Sequence, residues 1–407
     1  MTQNPSINKT FLIIILGILA ALGPFTIDMY LPSFLRIAED LNTDQRHVAF
    51  TLTSYFIGIS AGQLIYGPII DKYGRKKPLL VGLLIYIVAA VGCGMAPNIE
   101  FMIAMRLLQA LGACVGIVAS NAIISDVYEP KKMAQAFSSI ILVMGVAPLI
   151  APSVGSLILE TADWNYIFYF LAVFAGIITL LIYTYLPETN RFGHSNKLRI
   201  KNISADYWHI LKDKIFLSYS IASSLAMSIL FAYIASAAFI FQTLYQLDKS
   251  TFSGIFAINA SGLIAGSYLN GFITKRFHFI NIAKLATILL CIISGLALAT
   301  LLMADNLPYQ VLIVFIFSIL FLLGLINPNA TAASLSPFKQ NAGAASALGG
   351  SLRMGVGAVV SASIGLLQGE SALTMFTVIA VLALCTAILL FAAPKGQSQS
   401  TVVSEEQ

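Results

Sequence analysis

The stretch Thr51–Lys77 reads TLTSYFIGISAGQLIYGPIIDKYGRKK and combines the two patterns that decide the fold. Its first twenty residues contain no Asp, Glu, Lys or Arg, which is the length and composition of a helix that crosses a lipid bilayer. Its last seven residues contain five charged side chains, four of them basic. An apolar span that ends in a basic loop is typical of a membrane protein whose lysines and arginines set its orientation.

The composition of the whole chain agrees with that of this stretch. The 407 residues are 58% hydrophobic and 10% charged, with a mean hydropathy of +0.86, whereas soluble domains carry about 25% charged residues. The net charge of +5 could suggest nucleic acid as a partner, but the basic residues lie in short loops between apolar runs. We therefore predict an all-α membrane protein whose basic residues orient it in the bilayer.

Apolar runs separated by polar residues predict twelve transmembrane helices, because each run is about twenty residues long. An even number of spans places both termini on the same side of the membrane. The predicted spans are 11–33, 47–70, 79–96, 99–124, 134–159, 165–186, 215–241, 252–273, 282–303, 309–332, 342–367 and 371–393.

The lysines and arginines predict which side that is. One alternating set of loops and tails holds 18 of them and the other set holds 3. Since cytoplasmic loops are enriched in basic residues, we expect both termini and the 187–214 loop to be cytoplasmic. The expected location is a bacterial inner membrane, crossed many times.

The longest polar stretch divides the chain into two halves of six spans. The predicted units are an N-terminal half at 1–186, a linker at 187–214, a C-terminal half at 215–393 and a tail at 394–407. Part of the linker, Ser204–Lys214, could form an amphipathic helix on the membrane surface, or the whole segment could be a plain linker.

A weak internal repeat supports this division, since Gly67 and Gly145 recur 204 residues later as Gly271 and Gly349. Two parallel halves related in this way are typical of transporters in which one half rocks against the other.

Charged residues inside the spans are the first candidates for function, because charge is costly in a membrane. The helix rise places Asp28 about 7 Å and Arg106 about 10 Å below the same surface. Both could line one substrate cavity, together with Gln109 on the same helical face as Arg106. Alternatively, Asp28 and Arg106 could form a fixed ion pair that only holds helices together.

Two further residues complete the predicted cavity. Tyr30 could place its hydroxyl at the outer mouth of the cavity, or it could belong to the interfacial aromatic belt. Arg353 lies near mid-membrane, where an arginine needs a partner or water. It could contact substrate or brace polar side chains, for which the candidates are Asn259, Asn270 and Asn327.

Span five has a distinctive pattern of small residues and prolines at Gly145, Pro148, Pro152 and Gly155. Two prolines four residues apart predict a kinked helix, and the glycines give it one thin face that another helix can approach closely. Ordinary packing explains these residues as well as gating does.

The cysteines and histidines give no sign of a metal site, a cofactor or a disulfide. Cys93, Cys114, Cys291 and Cys385 all fall in apolar runs without a CxxC pattern, and the four histidines form no cluster. We also find no catalytic cluster and no soluble sensor domain. A membrane enzyme or sensor therefore remains only a remote alternative.

Several of these stretches resemble one family. Gly67–Lys77 resembles the signature of major facilitator transporters, and Arg106-x2-Gln109-x2-Gly112 resembles their fourth-helix motif. Span five is similar to their antiporter motif, although Ala147-Pro148 replaces Gly-Pro and Gly155-Ser156 replaces a double Gly. The stretch Thr26–Pro32 resembles the drug:proton antiporter branch, with the Bcr/CflA group (bicyclomycin and chloramphenicol-type efflux) as the nearest likeness.

The resemblance implies roles for the candidate residues. Asp28 would take part in proton coupling, and Arg106 would set its protonation or contact substrate. A cytoplasmic gate would consist of Gly67, Asp71, Gly74, Arg75 and Asp126. In it Arg75 would bridge to Asp126, and Asp71 would face the N-terminus of span eleven near Ala342.

The implied function is proton-driven export of small amphipathic compounds by a monomer in contact with membrane lipid. Proton-coupled transport of a metabolite such as an amino acid, nucleoside or siderophore is the alternative.

Overall fold

A computed structural model describes residues 9–128, 130–189, 200–303, 307–338, 342–367 and 372–394 of the chain. All regular secondary structure in these ranges is helical. The α-helices are α1 Lys9–Asp28, α2 Phe34–Asp40, α3 Gln45–Tyr73, α4 Lys76–Gly94, α5 Ile99–Val127, α6 Pro130–Thr161, α7 Asn165–Tyr185, α8 Ile200–Lys212, α9 Lys214–Ala238, α10 Lys249–Ile273, α11 Phe279–Met303, α12 Tyr309–Leu335, α13 Ala342–Leu367 and α14 Leu373–Ala392.

The membrane-spanning helices match the predicted spans in number and order. Eleven helical segments of the described ranges are long and apolar enough to cross a bilayer. The remaining predicted span corresponds to α6, which has 32 residues. The predicted all-α membrane architecture is therefore confirmed, with α2 and α8 as the two short additions.

Several spans begin at a side chain that caps the helix. Asp44 accepts a hydrogen bond of 2.9 Å from a backbone N–H of α3, and Asp248 accepts one of 2.8 Å in α10. Asn98 and Asp213 cap α5 and α9 in the same way. Each cap satisfies one of the N–H groups that a helix leaves without an internal partner. Asp44 and Asp248 are 204 residues apart, which is the spacing of the sequence repeat.

The same helix pairs pack in both halves of the molecule. In the first half α5 packs against α3 and α4, and in the second half α12 packs against α10 and α11. Glycines permit the close approach at equivalent positions: Gly58 and Gly62 lie against α5, and Gly262 and Gly266 lie against α12. Gly58 and Gly262 are 204 residues apart in the chain, and so are Gly62 and Gly266. The chain therefore folds as two pseudo-symmetric halves of six spans.

The two halves meet mainly along α3 with α13 and along α6 with α10. Thr53 donates to the Ser361 hydroxyl at 3.1 Å, and Ser60 donates to the carbonyl oxygen of Ser351 at 2.9 Å. Ser253 at the start of α10 donates to the carbonyl oxygen of Pro152 in α6 at 3.0 Å. We call the end of the bundle that holds the α3–α4 loop the basic face, and the end that holds the α2–α3 loop the opposite face.

The first predicted span, 11–33, is divided in the structure. Helix α1 ends at Asp28, a turn follows, and a short 3₁₀ helix occupies Leu31–Ser33 before α2 begins. Pro32 has no N–H to donate to the carbonyl of Asp28, so the α-helix does not continue through this point. The predicted span lies within the candidate membrane span Thr10–Asp40, and the break places Asp28 at a helix end inside the protein.

The linker contains the amphipathic helix that the sequence allowed as an alternative. Helix α8 ends two residues before the predicted boundary, and its Ile210 is buried beside Phe216 of α9 and Leu348 of α13. The hydroxyl of Tyr207 in α8 donates to the carbonyl oxygen of Leu64 in α3 at 3.4 Å. The linker helix thus contacts both halves near the basic face.

Candidate functional site

Asp28 lies at the boundary between the two halves. Its side chain is 3% exposed, and its Oδ1 has no hydrogen-bond partner in the described part of the chain. The carboxyl is close enough to Tyr233 of α9, in the second half, to interact with it electrostatically. The Tyr233 hydroxyl in turn accepts a 3.1 Å hydrogen bond from Asn259 of α10. A buried carboxyl without a donor or a cation has a strong reason to bind a proton or a ligand.

Arg106 of α5 occupies an aromatic pocket inside the first half. The guanidinium carbon lies 4.3 Å from the ring centroid of Tyr30, 4.5 Å from that of Tyr55 and 5.8 Å from that of Phe168. The residue is fully buried. Attraction to three ring faces offsets part of the cost of removing the charge from water, and this attraction is strongest where water is excluded.

Hydrogen bonds fix the orientation of this guanidinium. Nη1 of Arg106 donates to Oε1 of Gln109 at 2.8 Å and to the carbonyl oxygen of Thr26 at 3.2 Å. Since α1 ends at Asp28, the Thr26 carbonyl lies in its last turn and lacks an intrahelical donor. Arg106 therefore caps the C-terminus of α1, where the helix dipole also favours a positive charge.

These contacts decide between the alternatives that the sequence left open. Asp28 and Arg106 form no ion pair within the described residues, so the fixed-pair interpretation was wrong. Tyr30 is fully buried, with its hydroxyl 2.8 Å from that of Thr51. It therefore belongs neither to an interfacial belt nor to an outer mouth. Gln109 is fully buried as well, and it positions Arg106 from one helical turn away.

Arg353 of α13 has a much less complete set of contacts. Its only hydrogen bond among the described residues is a long one, 3.4 Å from Nη1 to Oγ1 of Thr331 in α12. The side chain remains partly accessible. Asn259 bonds to Tyr233, and Asn270 bonds to Asn329. Bracing of these two asparagines by Arg353, which the sequence allowed, is therefore wrong.

The predicted bridge between Arg75 and Asp126 is present at the basic face. Nε of Arg75 donates to Oδ2 of Asp126 at 2.9 Å, and Nη1 donates to Oδ1 of Asp71 at 2.6 Å. A third bond of 2.9 Å runs from Nη1 to the carbonyl oxygen of Ile70. Partial burial disfavours the charge, but the carboxylates of Asp126 and Asp71 outweigh it and raise the pKa of Arg75.

Glu188, which the sequence analysis did not identify, completes this cluster. Its carboxylate accepts hydrogen bonds from the backbone N–H groups of Arg75 at 2.8 Å and Lys76 at 3.1 Å. It thereby caps the N-terminus of α4 from the segment after α7. Gly74 has a φ of +86° and lies directly against Glu188, so a side chain there would be strained and would collide with the carboxylate. The only indication of this capping role in the sequence is that Glu188 directly follows Pro187.

The remaining predicted residues belong to the cytoplasmic gate and to span five. Gly67 has open space around it, and the N-terminal residue of α13, Ala342, has no described side chain. The predicted contact of Asp71 with that terminus thus lies outside the described residues.

In span five, Gly155 approaches the carbonyl of Met29 so closely that it has no room for a side chain. The surroundings of Gly145 lie outside the described residues. Pro148 lies within α6, as Gly155 does.

Comparison with known proteins gives a consistent result. The family model described as Major Facilitator Superfamily matches residues 13–362. An uncharacterized MFS-type transporter from Bacillus subtilis, YdgK, is 32% identical over 97% of this chain and 98% of its own length. A bicyclomycin resistance protein homolog from Haemophilus influenzae is 32% identical over 92% of this chain and 93% of its own. Among solved structures, a D-xylose-proton symporter matches with a TM-score of 0.75 at 14% identity, covering 95% of this chain and 97% of its own.

Proposed function

Because the chain belongs to the Major Facilitator Superfamily, we propose that it is a proton-coupled transporter that exports small amphipathic compounds by alternating access. It is a multi-pass membrane transporter and not an enzyme. Its relatives include the bicyclomycin resistance protein homolog, whose name supports export of a small molecule. We place it in the bacterial inner membrane with the basic face toward the cytoplasm, because 18 of its basic residues lie in the loops and tails of that face.

The observation that carries this proposal is the position of Asp28. It is a carboxyl inside a membrane-spanning bundle, at the break of α1, without an ion-pair partner among the described residues. The sequence suggested Arg106 as the counter-charge of Asp28. In the structure Arg106 instead contacts aromatic rings and donates a hydrogen bond to the carbonyl oxygen of Thr26. The carboxyl is therefore free to exchange its proton as access to it alternates.

A transport cycle follows from this arrangement. With the cytoplasmic side open, substrate enters and Asp28 loses its proton. The halves then rock about the α3–α13 and α6–α10 contacts, and Asp28 takes up a proton from the other side as the substrate leaves. Each positive charge moved inward with the membrane potential gains about 2.3 kcal/mol per 100 mV.

The bonds between the halves near the opposite face must break in this cycle. They include the 3.0 Å bond from Ser253 to Pro152 and the 3.1 Å bond from Thr243 to Gln45. The cluster of Asp71, Arg75 and Asp126 serves as the gate at the other side. It fixes the ends of α3, α4 and α5 relative to one another, so the first half moves as a rigid unit.

The test is transport by purified protein in liposomes with an imposed pH gradient. The panel should contain bicyclomycin, chloramphenicol, an amino acid and a nucleoside. We expect pH-driven movement of the first two compounds by the wild-type protein and none by Asp28→Asn. Asp44→Asn is the matched control, because it neutralises a carboxylate but preserves a helix cap.

Two results would reject the proposal. Normal pH-driven transport by Asp28→Asn would remove the proposed role of this carboxyl. Movement of only the amino acid or the nucleoside would instead assign the protein to metabolite transport.

A further inference from the structure

The polar groups around Arg353 form a cluster that the proposed cycle does not use. Ser220 of α9 is fully buried and its Oγ has no hydrogen-bond partner in the described residues. The Oδ1 of Asn327 in α12 is also buried and without a partner. Asn327 and Thr331 lie one helical turn apart, so both can face the same space as Arg353. A guanidinium with one long hydrogen bond and an unpaired hydroxyl thus lie close together between α9 and α13.

Gly349 keeps this space open. A side chain built there would lie 3.7 Å from Oγ of Ser220 and 3.8 Å from Nη1 of Arg353. The two donors therefore approach the same position from different helices, and no side chain occupies that position. Ser223 of α9 lies 3.2 Å from Thr331 through their hydroxyl oxygens, which adds further donors at the edge.

The charge of this cluster is not balanced by the described part of the protein. No carboxylate of the described residues lies within ion-pair distance of Arg353, and its one hydrogen bond is 3.4 Å long. An arginine in a membrane interior requires a partner or water. A guanidinium presents parallel N–H groups that match the two oxygens of a carboxylate or sulfonate. The amide nitrogen of Asn327 lies 3.6 Å from Sδ of Met227, and Met227 adds an apolar and adaptable surface.

We propose that Arg353, Ser220 and Thr331 form a substrate subsite for an oxyanion, so that an amphipathic compound carrying a carboxylate or sulfonate binds more tightly than its neutral analogue. This inference rests on the proposed transport function, because it names the substrate class of the same protein. The oxyanion takes the space beside Gly349, and the apolar body of the compound lies toward Met227. Export of such an anion in exchange for a proton moves net charge across the membrane, so the potential drives it as well as the pH gradient.

Binding of a matched pair of probes tests the subsite. 1-Naphthaleneacetate and 1-naphthaleneacetamide have the same size and shape, and at neutral pH only the first is an anion. Binding is measured calorimetrically to purified protein in nanodiscs without a pH gradient. We expect the acid to bind about tenfold or more tightly than the amide, because charge-assisted bonds are roughly twice as strong as neutral ones.

The variants separate this subsite from general binding. Arg353→Gln should abolish the preference for the acid and leave amide binding within about twofold. Gly349→Ala puts a methyl group into the space between the donors at ordinary contact distance, so it should reduce acid binding without loss of folding. Gly343→Ala is the control, because it is in the same helix and has open space around it.

The outcomes are distinct from those of the transport test. Equal binding of acid and amide by wild-type protein, or binding of neither, overturns the subsite. An unchanged preference in both Arg353→Gln and Gly349→Ala overturns it too. Because no proton gradient is present, loss of coupling in Asp28→Asn has no bearing on this result. Likewise, failure of the subsite leaves proton-coupled export intact.

Discussion

The two arginines inside the spans, Arg106 and Arg353, are held in the fold in opposite ways. Arg106 is fully buried between three aromatic rings, a carbonyl and an amide, all from its own half. Arg353 has one long hydrogen bond to Thr331 and is partly accessible. Charge inside a membrane protein therefore does not by itself mark a substrate site. The two differ in how many partners the fold supplies. Nε and Nη2 of Arg106 have no hydrogen-bond partner among the described residues, but its guanidinium has two hydrogen bonds from Nη1 and three ring contacts.

The largest expected effect is the loss of stability when Arg106 is replaced. Arg106→Gln keeps a polar group but removes the ring contacts and the cap on α1. We expect the free energy of unfolding to fall by about 3 kcal/mol or more. Thermal unfolding in detergent, followed by size-exclusion chromatography, measures this. Near wild-type stability of Arg106→Gln would show that the ring contacts and the cap on α1 do not stabilise the fold.

Arg75 differs from both of these arginines, because its partners are carboxylates at the basic face. Arg75→Ala removes the bonds to Asp126 and Asp71, and we expect a loss of about 2 kcal/mol in stability. Spin-label distances across the basic face should also change, since the ends of α3 and α5 are no longer tied together. Lys77→Ala is the control for loss of a nearby exposed charge. Unchanged distances would argue against a gating role.

The cap at Asp44 gives a smaller effect with a defined pH dependence. Partial burial raises the pKa of Asp44, but bonds from the backbone and ring of His47 outweigh it, so the pKa is lowered overall. Its stabilising contribution is therefore complete above the ordinary aspartate pKa of about 3.9 and disappears as the pH falls through the lower folded-state value.

We expect Asp44→Ala to cost about 1 kcal/mol at neutral pH. The difference from wild type should shrink below about pH 4, as measured by thermal unfolding over a pH series. A difference that grows on acidification would contradict this assignment.

The smallest expected effect on stability is that of Arg353→Gln. Since the fold supplies little to this guanidinium, we expect a change within about 0.5 kcal/mol. The same unfolding assay used for Arg106→Gln measures it. A loss as large as that of Arg106→Gln would show that Arg353 is structural and would remove the distinction between the two residues.

The sequence predicted the features that depend on local pattern. Apolar runs predicted the spans, and the glycine repeat predicted two halves. The bridge from Arg75 to Asp126, which the structure contains, was implied by the family resemblance of the loop after span two. Asp28 was identified because an acidic residue in an apolar run is rare.

The surroundings of these residues were not predictable, because they depend on contacts between distant segments. Tyr55 and Phe168 lie 51 and 62 residues from Arg106 in the chain, and nothing in the local sequence of either indicates a cation over its ring. The end of α1 before Pro32 was the decisive local detail. It creates the free carbonyl at Thr26 that Arg106 caps.

The proposed coupling depends on Asp28 exchanging its proton when substrate binds. The most direct measurement is proton release from purified protein in weakly buffered solution, on addition of a compound that it transports in liposomes. We predict release of about one proton per molecule bound by wild-type protein near neutral pH, and none by Asp28→Asn. Equal release by both proteins, or binding to wild-type protein without any release, would contradict the account.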